Sequence, residues 1–222
     1  MPSLLKRLAD NRSADSMATE LRRKRFALFQ SLLERVHGEI SILDVGGTAE
    51  FWRMMEFADD RVRVTLLNQS PAVVDRPPFR SVAGDARDMG AFTDRQFDIV
   101  FSNSVIEHVG TFADQHRMAS EVRRVGRRYF VQTPNKYFPI EPHFLVPGFQ
   151  FLPLSIRASL LARRDLGWYA RARNYEHALQ EVSAVRLLSE REFRELFPEG
   201  RLYKERFFGW TKSFVAYHGW EP

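Results

Sequence analysis

The stretch Ile42-Leu-Asp-Val-Gly-Gly-Thr48 decides the fold class of this chain. Its apolar run ends in Asp44, and two glycines separate that acid from a segment that can start a helix at Ala49. Glycine lets a backbone turn sharply and approach a ligand closely, because it has no Cβ. A buried strand, a glycine turn and a helix N-terminus together predict a cradle for a nucleotide-sized ligand at the carboxyl end of the strand.

Strands and helices alternate on both sides of this turn. Short apolar runs predict five strands, at 40–45, 62–67, 81–83, 97–101 and 128–133. Helical spacing predicts three helices, at 17–37, 49–58 and 112–125, and Gly126 caps the last of them. This order of elements is typical of an α/β fold: a Rossmann-like open sheet, mostly parallel, with right-handed crossovers and helices on both faces.

The C-terminal part has a different pattern. Residues 189–197 have helical spacing, and Ser189 and Glu192 are placed to form a capping box at the start of that helix. The runs 202–208 and 211–217 alternate in character and are separated by a short Gly-Trp junction. They predict a terminal antiparallel hairpin.

Residues 134–180 are rich in Pro, Phe and Arg and lack a clear strand pattern. We interpret them as a helical cap or lid, with Trp168 and Tyr169 as candidate walls of an acceptor pocket. Two other interpretations stay open. The part 144–173 has the composition of a peripheral membrane contact, with arginines for anionic headgroups, and its apolar side chains also suit packing against the domain or a second copy in a homodimer.

The chain has 222 residues, of which 44% are hydrophobic, which is enough for one domain with a buried core. We expect that domain to span 1–222, with an N-terminal helical extension at 1–37 and the cap insertion at 134–180. The absence of cysteine excludes disulfides, cysteine-ligated zinc and a catalytic thiol. Because no secretory leader and no apolar run of about 18 residues is found, a cytoplasmic location is expected.

The net charge of +5 makes nucleic acid a conceivable partner. The densest basic run, Arg22-Arg-Lys-Arg25, lies inside the helical pattern of residues 17–37. We therefore interpret it as a solvated helix face and treat nucleic acid as an unlikely partner.

Four further stretches follow the glycine turn. They are Leu66-Leu-Asn-Gln-Ser-Pro71, Ala83-Gly-Asp-Ala86, Phe97-Asp-Ile-Val-Phe-Ser-Asn-Ser-Val-Ile-Glu-His-Val109 and Arg124-Val-Gly-Arg-Arg-Tyr-Phe-Val-Gln-Thr-Pro-Asn135. Together with residues 42–48, they resemble the motifs of class I S-adenosylmethionine-dependent methyltransferases, in their small-molecule branch. The resemblance is strong over residues 38–135 and loose for the terminal hairpin.

This resemblance implies that S-adenosylmethionine is the cofactor. Gly46 and Gly47 would approach its methionine part, and Asp44 would order the turn and meet its amino group. Asn68 would reach the ribose, and Asp85 would accept a hydrogen bond from the adenine amine. The cofactor-binding residues that the resemblance implies are Asp44, Gly46, Gly47, Thr48, Asn68, Gln69, Asp85, Ala86 and Asn103.

The chain departs from the family pattern at three positions. Thr48 and Glu50 stand where the family usually has glycines, and Asn68 stands where an acid usually grips both ribose hydroxyls. An amide can donate and accept hydrogen bonds but lacks the strength of a carboxylate, so weaker cofactor binding, or help from Gln69, is expected. Purely structural roles also suit these positions: Asp44 as a helix cap, Asn68 in a turn before Pro71.

Other nucleotide-binding sites fit less well. A nicotinamide or flavin site would need the full Gly-x-Gly-x-x-Gly, which is missing, and a P-loop is excluded because no Gly-Lys-Ser/Thr follows the turn. The Asn/Asp-Pro-Pro-aromatic loop of base-amine methylating enzymes is also absent after the fourth strand, which argues against methylation of a nucleic-acid base.

Two histidines are the candidate catalytic residues. His108 lies in the loop after the fourth strand and His143 lies beyond the fifth, so both should approach the carboxyl edge of the sheet, where a base could assist methyl transfer. Each also suits a structural role, bonded to the backbone. Glu107 and Glu141 add metal-binding donor types. Because neighbouring positions seldom converge on one ion, no metal is expected.

The function predicted from the sequence is S-adenosylmethionine-dependent methyl transfer to a small-molecule or lipid-like acceptor, at oxygen. Two alternatives stay open. The positive charge permits an RNA-directed methyltransferase, and the departures at Thr48, Glu50 and Asn68 permit a non-catalytic cofactor-binding protein. The acceptor itself depends on the divergent cap.

Overall fold

The computed structural model of the chain describes residues 6, 7, 10, 16–70, 74 and 77–220. Pro71, before which a turn at Asn68 is one of the predictions, lies outside these residues. The strands are β1 (Ile40–Val45), β2 (Val62–Asn68), β3 (Phe79–Ala83), β4 (Ile99–Asn103), β5 (Tyr129–Pro134), β6 (Arg201–Phe207) and β7 (Trp210–His218). The α-helices with bounds in this part of the chain are α1 (Met17–Leu33), α2 (Ala49–Met54), α3 (Phe112–Val125), α4 (Leu154–Arg163), α5 (Tyr175–Ser183) and α6 (Glu190–Leu196).

All seven strands belong to one sheet, in the order β3-β2-β1-β4-β5-β7-β6. Strands β1 to β5 run parallel, and β7 lies antiparallel between β5 and β6. The predicted fold class, a mostly parallel Rossmann-like sheet with a terminal antiparallel hairpin, is therefore confirmed.

Buried side chains cover both faces of the sheet. On one face α3 and α6 contribute Met118, Val122 and Phe193 to the core. On the other face α1 and α2 contribute Phe29 and Trp52, both fully buried. Because both faces are covered, the central strands read as continuous apolar runs, which is why they could be found in the sequence.

Two helices end earlier than predicted. Helix α2 stops at Met54, because Glu56 adopts a left-handed conformation with φ of 53° and breaks the helix. Helix α1 stops at Leu33, and the next N–H groups, of Arg35 and Val36, bond to carbonyls three residues back, a tightening that is common at helix ends.

Strand β4 begins two residues later than predicted. The Asp98 carboxylate accepts hydrogen bonds from the backbone N and Oγ of Ser41, at 2.9 and 2.7 Å, and Phe97 pairs with Gly126 in an isolated bridge. Ser102 and Asn103 therefore belong to the strand itself rather than to the loop after it.

The cap contains α4 and the start of α5. These helices pack on each other and, with Phe144 and Phe149, form a separate buried cluster. The packing accounts for much of the apolar composition of this segment, and its role as a lid over substrate stays a prediction. Across the described parts of the chain, none of the helices combines the length and the apolar character that crossing a membrane requires.

Candidate functional site

The carboxyl ends of β1, β2, β4 and β5 meet at one edge of the sheet. The N–H of Gly46 donates to the carbonyl of Leu67 at 2.8 Å, and the N–H of Ser104 donates to the carbonyl of Gln132 at 3.1 Å. The loops after β1 and β4 thus continue the sheet's hydrogen bonding for one residue beyond the strands. This edge is where open α/β sheets bind ligands.

The glycine turn after β1 is closely packed from both sides. Gly46 has φ of 74°, and a Cβ there would lie 2.5 Å from a methyl of Val105. A Cβ on Gly47 would lie only 1.7 Å from Oδ2 of Asp44. Both positions therefore require glycine, Gly46 for its backbone conformation and Gly47 because the Asp44 carboxylate fills the space.

The carboxylate of Asp44 is 1% exposed and accepts a 2.7 Å hydrogen bond from the indole N–H of Trp52. It holds the glycine turn against α2, but it is not the cap of that helix. Thr48 is the cap, because its side chain accepts from the N–H of Phe51 at 3.2 Å. Burial raises the pKa of Asp44 from 3.8 to about 7, and the Trp52 hydrogen bond acts in the opposite direction.

Replacing Asp44 by asparagine should stabilise the protein at pH 8 and have little effect near pH 4. Because its pKa is raised on folding, wild-type Asp44 binds a proton more tightly in the folded state, and stability is lost as the pH rises from about 4 to about 7. Asparagine does not titrate and can still accept the Trp52 hydrogen bond. The expected gain is about 2 kcal/mol, roughly half of the full shift at 1.4 kcal/mol per unit, because the structure relaxes around a buried charge.

Urea unfolding of wild type and Asp44→Asn at both pH values measures this difference. Asp60→Asn is the matched control, because Asp60 is exposed. A stability difference between Asp44→Asn and wild type that is the same at both pH values would show that Asp44 does not titrate between them in the folded protein.

Asn68 connects the loops that follow β1 and β3. Its Nδ2 donates to the carbonyl of Gly47 at 2.9 Å, and its own backbone carbonyl accepts from the N–H of Gly84 at 3.0 Å. Its Oδ1 has no hydrogen-bond partner among the described residues. Asn68 therefore presents one free acceptor between the glycine turn and the loop that carries Asp85.

The other predicted cofactor-binding residues lie along the same edge. Both carboxylate oxygens of Asp85 bind the Arg87 guanidinium, at 2.6 to 3.1 Å, and this pairing lowers the pKa of Asp85. Ala86 packs on the core below the loop, and Gln69 is exposed just after β2. Asn103 is the last residue of β4, and its Oδ1 accepts a hydrogen bond from a guanidinium nitrogen of Arg25 at 3.4 Å.

The two candidate catalytic histidines meet although 35 residues separate them. Their Nε2 atoms are 3.1 Å apart, and the rings are nearly perpendicular. Nδ1 of His143 bonds to the carboxylate of Glu141 at 2.7 Å. Glu141 also accepts from the backbone N–H groups of His143 and Phe144, so the imidazole is held in one orientation.

The pKa values of the two histidines shift in opposite directions. Burial acts to lower the pKa of His143, but the hydrogen bond and charge of Glu141, with the charge of Glu107, outweigh it and raise the pKa. Desolvation and the charge of His143 lower the pKa of His108. His108 therefore stays neutral, whereas His143 holds its proton to a higher pH than an ordinary histidine does.

Glu107 completes this cluster, contrary to the expectation that such neighbours would not converge. Ligand atoms of Glu107, His108 and His143 all lie within 4.8 Å of one another. Glu107 is fully buried; its Oε2 accepts from Thr133 at 3.1 Å, and its Oε1 has no partner among the described residues. The cluster has the donor types and spacing to exchange a proton or to hold a divalent cation.

A cavity lies beside this edge, between α1, the cap and the terminal hairpin, and the sequence analysis assigned none of its charged residues to a site. The interpretation of Arg25 as part of a solvated helix face is wrong, because Arg25 is 7% exposed and binds Glu205 of β6 at 2.6 Å. Arg23 and Lys24 do lie on the exposed face. The signal in the sequence was Glu205, the one acid in β6, which could have indicated a buried partner for a cation. Trp168 and Tyr169 do not line this cavity; Tyr169 stacks on Phe144 inside the cap.

Residues 43–129 match a family model described as a methyltransferase domain. This match covers the glycine turn and the loops after β2, β3 and β4, which form the edge described above. This segment of the chain is thus similar to methyltransferase domains.

Similar proteins are known by sequence and by structure. Two uncharacterised proteins of Mycobacterium tuberculosis strains are 38% identical over 65 residues, which are 29% of this chain and 22% of each relative. The match thus spans about a fifth of the length of those relatives.

Two solved structures share the fold. The 1,6-didemethyltoxoflavin-N1-methyltransferase of Burkholderia thailandensis is 14% identical, with 89% of this chain and 76% of that one covered at a TM-score of 0.50. The CurJ carbon methyltransferase is 11% identical, with 86% and 51% covered at a TM-score of 0.52. At these identities the likeness shows the fold alone.

Proposed function

We propose that this protein transfers the methyl group of S-adenosylmethionine to a small-molecule or lipid-like acceptor, with oxygen as the accepting atom. The observation that carries the proposal is one edge of the sheet that holds both a glycine turn and the His108–His143 pair. The glycine turn suits cofactor binding, and the histidine pair suits proton transfer. The activity would then take place where the two parts adjoin.

The residues of the edge fit S-adenosylmethionine. The turn at Gly46 and Gly47 leaves backbone next to the ligand, the free Oδ1 of Asn68 can accept from a ribose hydroxyl, and Asp85 has acceptor sites beyond those that Arg87 uses. Asp44 would act chiefly by positioning the turn, since its carboxylate is buried. When bound, the cofactor supplies an electrophilic methyl group on a sulfonium.

His143 would hold the proton that the acceptor loses. Since Glu141 accepts a hydrogen bond from its Nδ1, neutral His143 has a bare Nε2 that can accept a proton. The neighbouring His108, kept neutral, can then share that proton through the 3.1 Å contact. We assign His143 as the base and His108 as the residue that orients it.

The other assignments from the sequence remain proposals of lower rank. A cytoplasmic location is supported only by the composition of the sequence. A homodimer and a peripheral membrane contact through 144–173 are supported by composition and by exposed apolar side chains in the cap, among them Phe151, Ile156 and Trp168. An RNA-directed activity is supported only by the net charge of +5. A non-catalytic cofactor-binding protein would leave the His108–His143 pair without a function.

Calorimetric titration with S-adenosylmethionine tests the cofactor site, with Gly47→Ala as the decisive variant. Its Cβ would collide with the Asp44 carboxylate, so the turn must shift. We expect cofactor affinity to fall more than tenfold and stability to fall by about 1–3 kcal/mol, the usual cost of overpacking. Gly90→Ala is the matched control, because its Cβ would meet only the Asp88 carboxylate, at 3.2 Å.

Wild-type affinity in Gly47→Ala would contradict the placement of the cofactor at this turn, and failure of the wild type to bind would overturn the proposal. Incubating the wild type with the cofactor and a panel of hydroxyl, carboxyl and amine acceptors, and with RNA, then identifies the acceptor by mass gain of one methyl group. Cofactor binding without any methylated product would favour the non-catalytic alternative.

A further inference from the structure

A cavity of about 190 Å³ lies beside the sheet edge, between α1, the cap and the terminal hairpin. Ser104 and Gln132, at the ends of β4 and β5, form its floor at the edge itself. Most of its walls are apolar, and they include Leu21, Ile140 and Phe207. The cavity is smaller than the roughly 300–1,000 Å³ of common ligand pockets, so it suits a small molecule or one end of a longer one.

The polar walls of this cavity carry an excess of positive charge. Arg22 and Arg25 come from α1 and Lys212 from β7, whereas Glu205 of β6 is the one acid among the described residues that line the cavity. Three cations therefore face one anion in a largely apolar enclosure. Like charges held together away from bulk water repel each other strongly, so this arrangement is costly unless an anion joins it.

Glu205 is fully engaged by two of its neighbours. Its Oε1 accepts from Arg25 at 2.6 Å, and its Oε2 accepts from the hydroxyl of Ser213 at 2.9 Å. The side chains of Arg22 and Lys212 have no carboxylate partner among the described residues. In addition, the Nε atoms of Arg22 and Arg25 are buried without a hydrogen-bond partner. Buried donors of this kind are rare in native proteins and call for an acceptor.

The pKa shifts of Arg22 and Lys212, the two cations without a described carboxylate partner, agree with this charge imbalance. Burial and the charge of Arg25 lower the pKa of Arg22 to about 10, against the attraction of Glu205. Burial, with the charges of Arg25 and Arg22, likewise lowers the pKa of Lys212. Both groups therefore hold their charge less favourably than in water, and a bound anion would reverse that effect.

We propose that this cavity binds the methyl acceptor and that the acceptor carries an anionic group, a carboxylate or a phosphate, on an apolar body. The anionic group would bind Arg22 and Lys212, and the apolar body would lie against Leu21, Ile140 and Phe207. This inference rests on the proposed methyl transfer, and it names the substrate class. Enclosure between α1 and the cap suits a small molecule better than a strand of RNA.

Three probes of equal chain length test the charge requirement without any need for turnover. Octanoate, octyl phosphate and octan-1-ol are titrated calorimetrically into the protein in the absence of cofactor. We expect both anions to bind at least about tenfold more tightly than the neutral alcohol, since hydrogen bonds between ionised groups are stronger than those to a neutral hydroxyl. The tighter of the two anions distinguishes a carboxylate acceptor from a phosphate one.

Lys212→Met should weaken binding of the tighter anion about tenfold and leave octan-1-ol unaffected. Lys24→Met is the matched control: it removes the same charge from the exposed side of α1, where Lys24 pairs with Glu20. Equal affinities for the three probes, or an equal loss in Lys24→Met and Lys212→Met, would overturn the inference. Salt-sensitive RNA binding that is lost in Lys212→Met, with no anion preference, would also overturn it.

These outcomes are separate from those that test methyl transfer. Anion-selective binding that depends on Lys212, in a protein that methylates nothing, would leave the anion site in place and remove the proposed activity. Conversely, a protein that methylates neutral acceptors and shows no preference for octanoate or octyl phosphate would keep the activity and overturn the anion site.

Discussion

Replacing His143 by alanine should lower methyl-transfer turnover by about a hundredfold to ten-thousandfold, the range that general bases usually contribute. The reason is geometric: Glu141 holds Nδ1 of His143 at 2.7 Å, which leaves Nε2 to accept the acceptor's proton. Affinity for S-adenosylmethionine should stay within about twofold, because the glycine turn and Asn68 are unchanged. Steady-state turnover and calorimetric cofactor titration on the same preparation measure both quantities.

The pH profile offers a second measurement of the same role. Only neutral imidazole accepts a proton, and the pKa of His143 is raised by Glu141 and Glu107 against the effect of burial. Wild-type turnover should therefore fall as the pH drops through a value above the usual histidine pKa of about 6.5. That limb of the profile should be absent from the residual activity of His143→Ala.

His177→Ala is the matched control, since His177 also pairs with a glutamate, Glu181, but on the surface of α5. His108→Ala should cause a smaller loss than His143→Ala, because His108 acts by orienting its neighbour. Wild-type turnover in both His108→Ala and His143→Ala would require the general base to be abandoned. Loss of wild-type activity on dialysis against a chelator, with recovery on adding a divalent cation, would instead assign the cluster with Glu107 to a metal.

Replacing Glu205 by glutamine should destabilise the protein by about 3–5 kcal/mol, as expected when one partner of a buried ion pair is removed. The side chains of Arg25 and Glu205 are 9% and 3% exposed, so solvent screens them little. Without the carboxylate, Arg22, Arg25 and Lys212 would be left together as three enclosed cations. Arg25→Met should cost less, because Arg22 and Lys212 would still attract Glu205.

Urea unfolding of these two variants and of the Arg25→Met/Glu205→Gln double variant measures the effect. The double variant should be more stable than the sum of the single losses predicts, because the two side chains interact directly. Glu190→Gln is the control, since Glu190 pairs with Lys204 at 2.6 Å but is 35% exposed, and such surface pairs contribute about 0–1 kcal/mol. A Glu205→Gln loss no larger than that of Glu190→Gln would refute the assignment of a buried charge cluster.

Local chemistry made much of the fold predictable. The predicted bounds of β1 coincide with those in the structure, Ile40–Val45, where an apolar run meets the first glycine. The capping box of Ser189 and Glu192 forms at the start of α6 as expected. The sheet edge at Gly46 could be inferred because a parallel strand followed by a glycine turn has few alternatives. These features depend on residues within a few positions of one another, so a single stretch of sequence carries them.

Side-chain pairs that are distant in sequence could not be predicted in the same way. Arg25 belongs to a run that looks like a solvated helix face, and its burial depends on Glu205, which lies 180 residues later. Likewise, helical spacing continued past Met54, but the left-handed backbone of Glu56 ends α2. In each case the deciding contact or conformation is set by the packing of the whole chain.

The sequence alone determined the sheet, the glycine turn and the similarity to methyltransferase domains, because hydrophobic periodicity and backbone freedom act over short distances. Tertiary structure alone decided that Nε2 of His108 meets Nε2 of His143, and that α1 and β7 place Arg22 and Lys212 around one cavity. Such contacts arise only when separate elements pack, since burial and charge take their values from neighbours that sequence distance does not reveal.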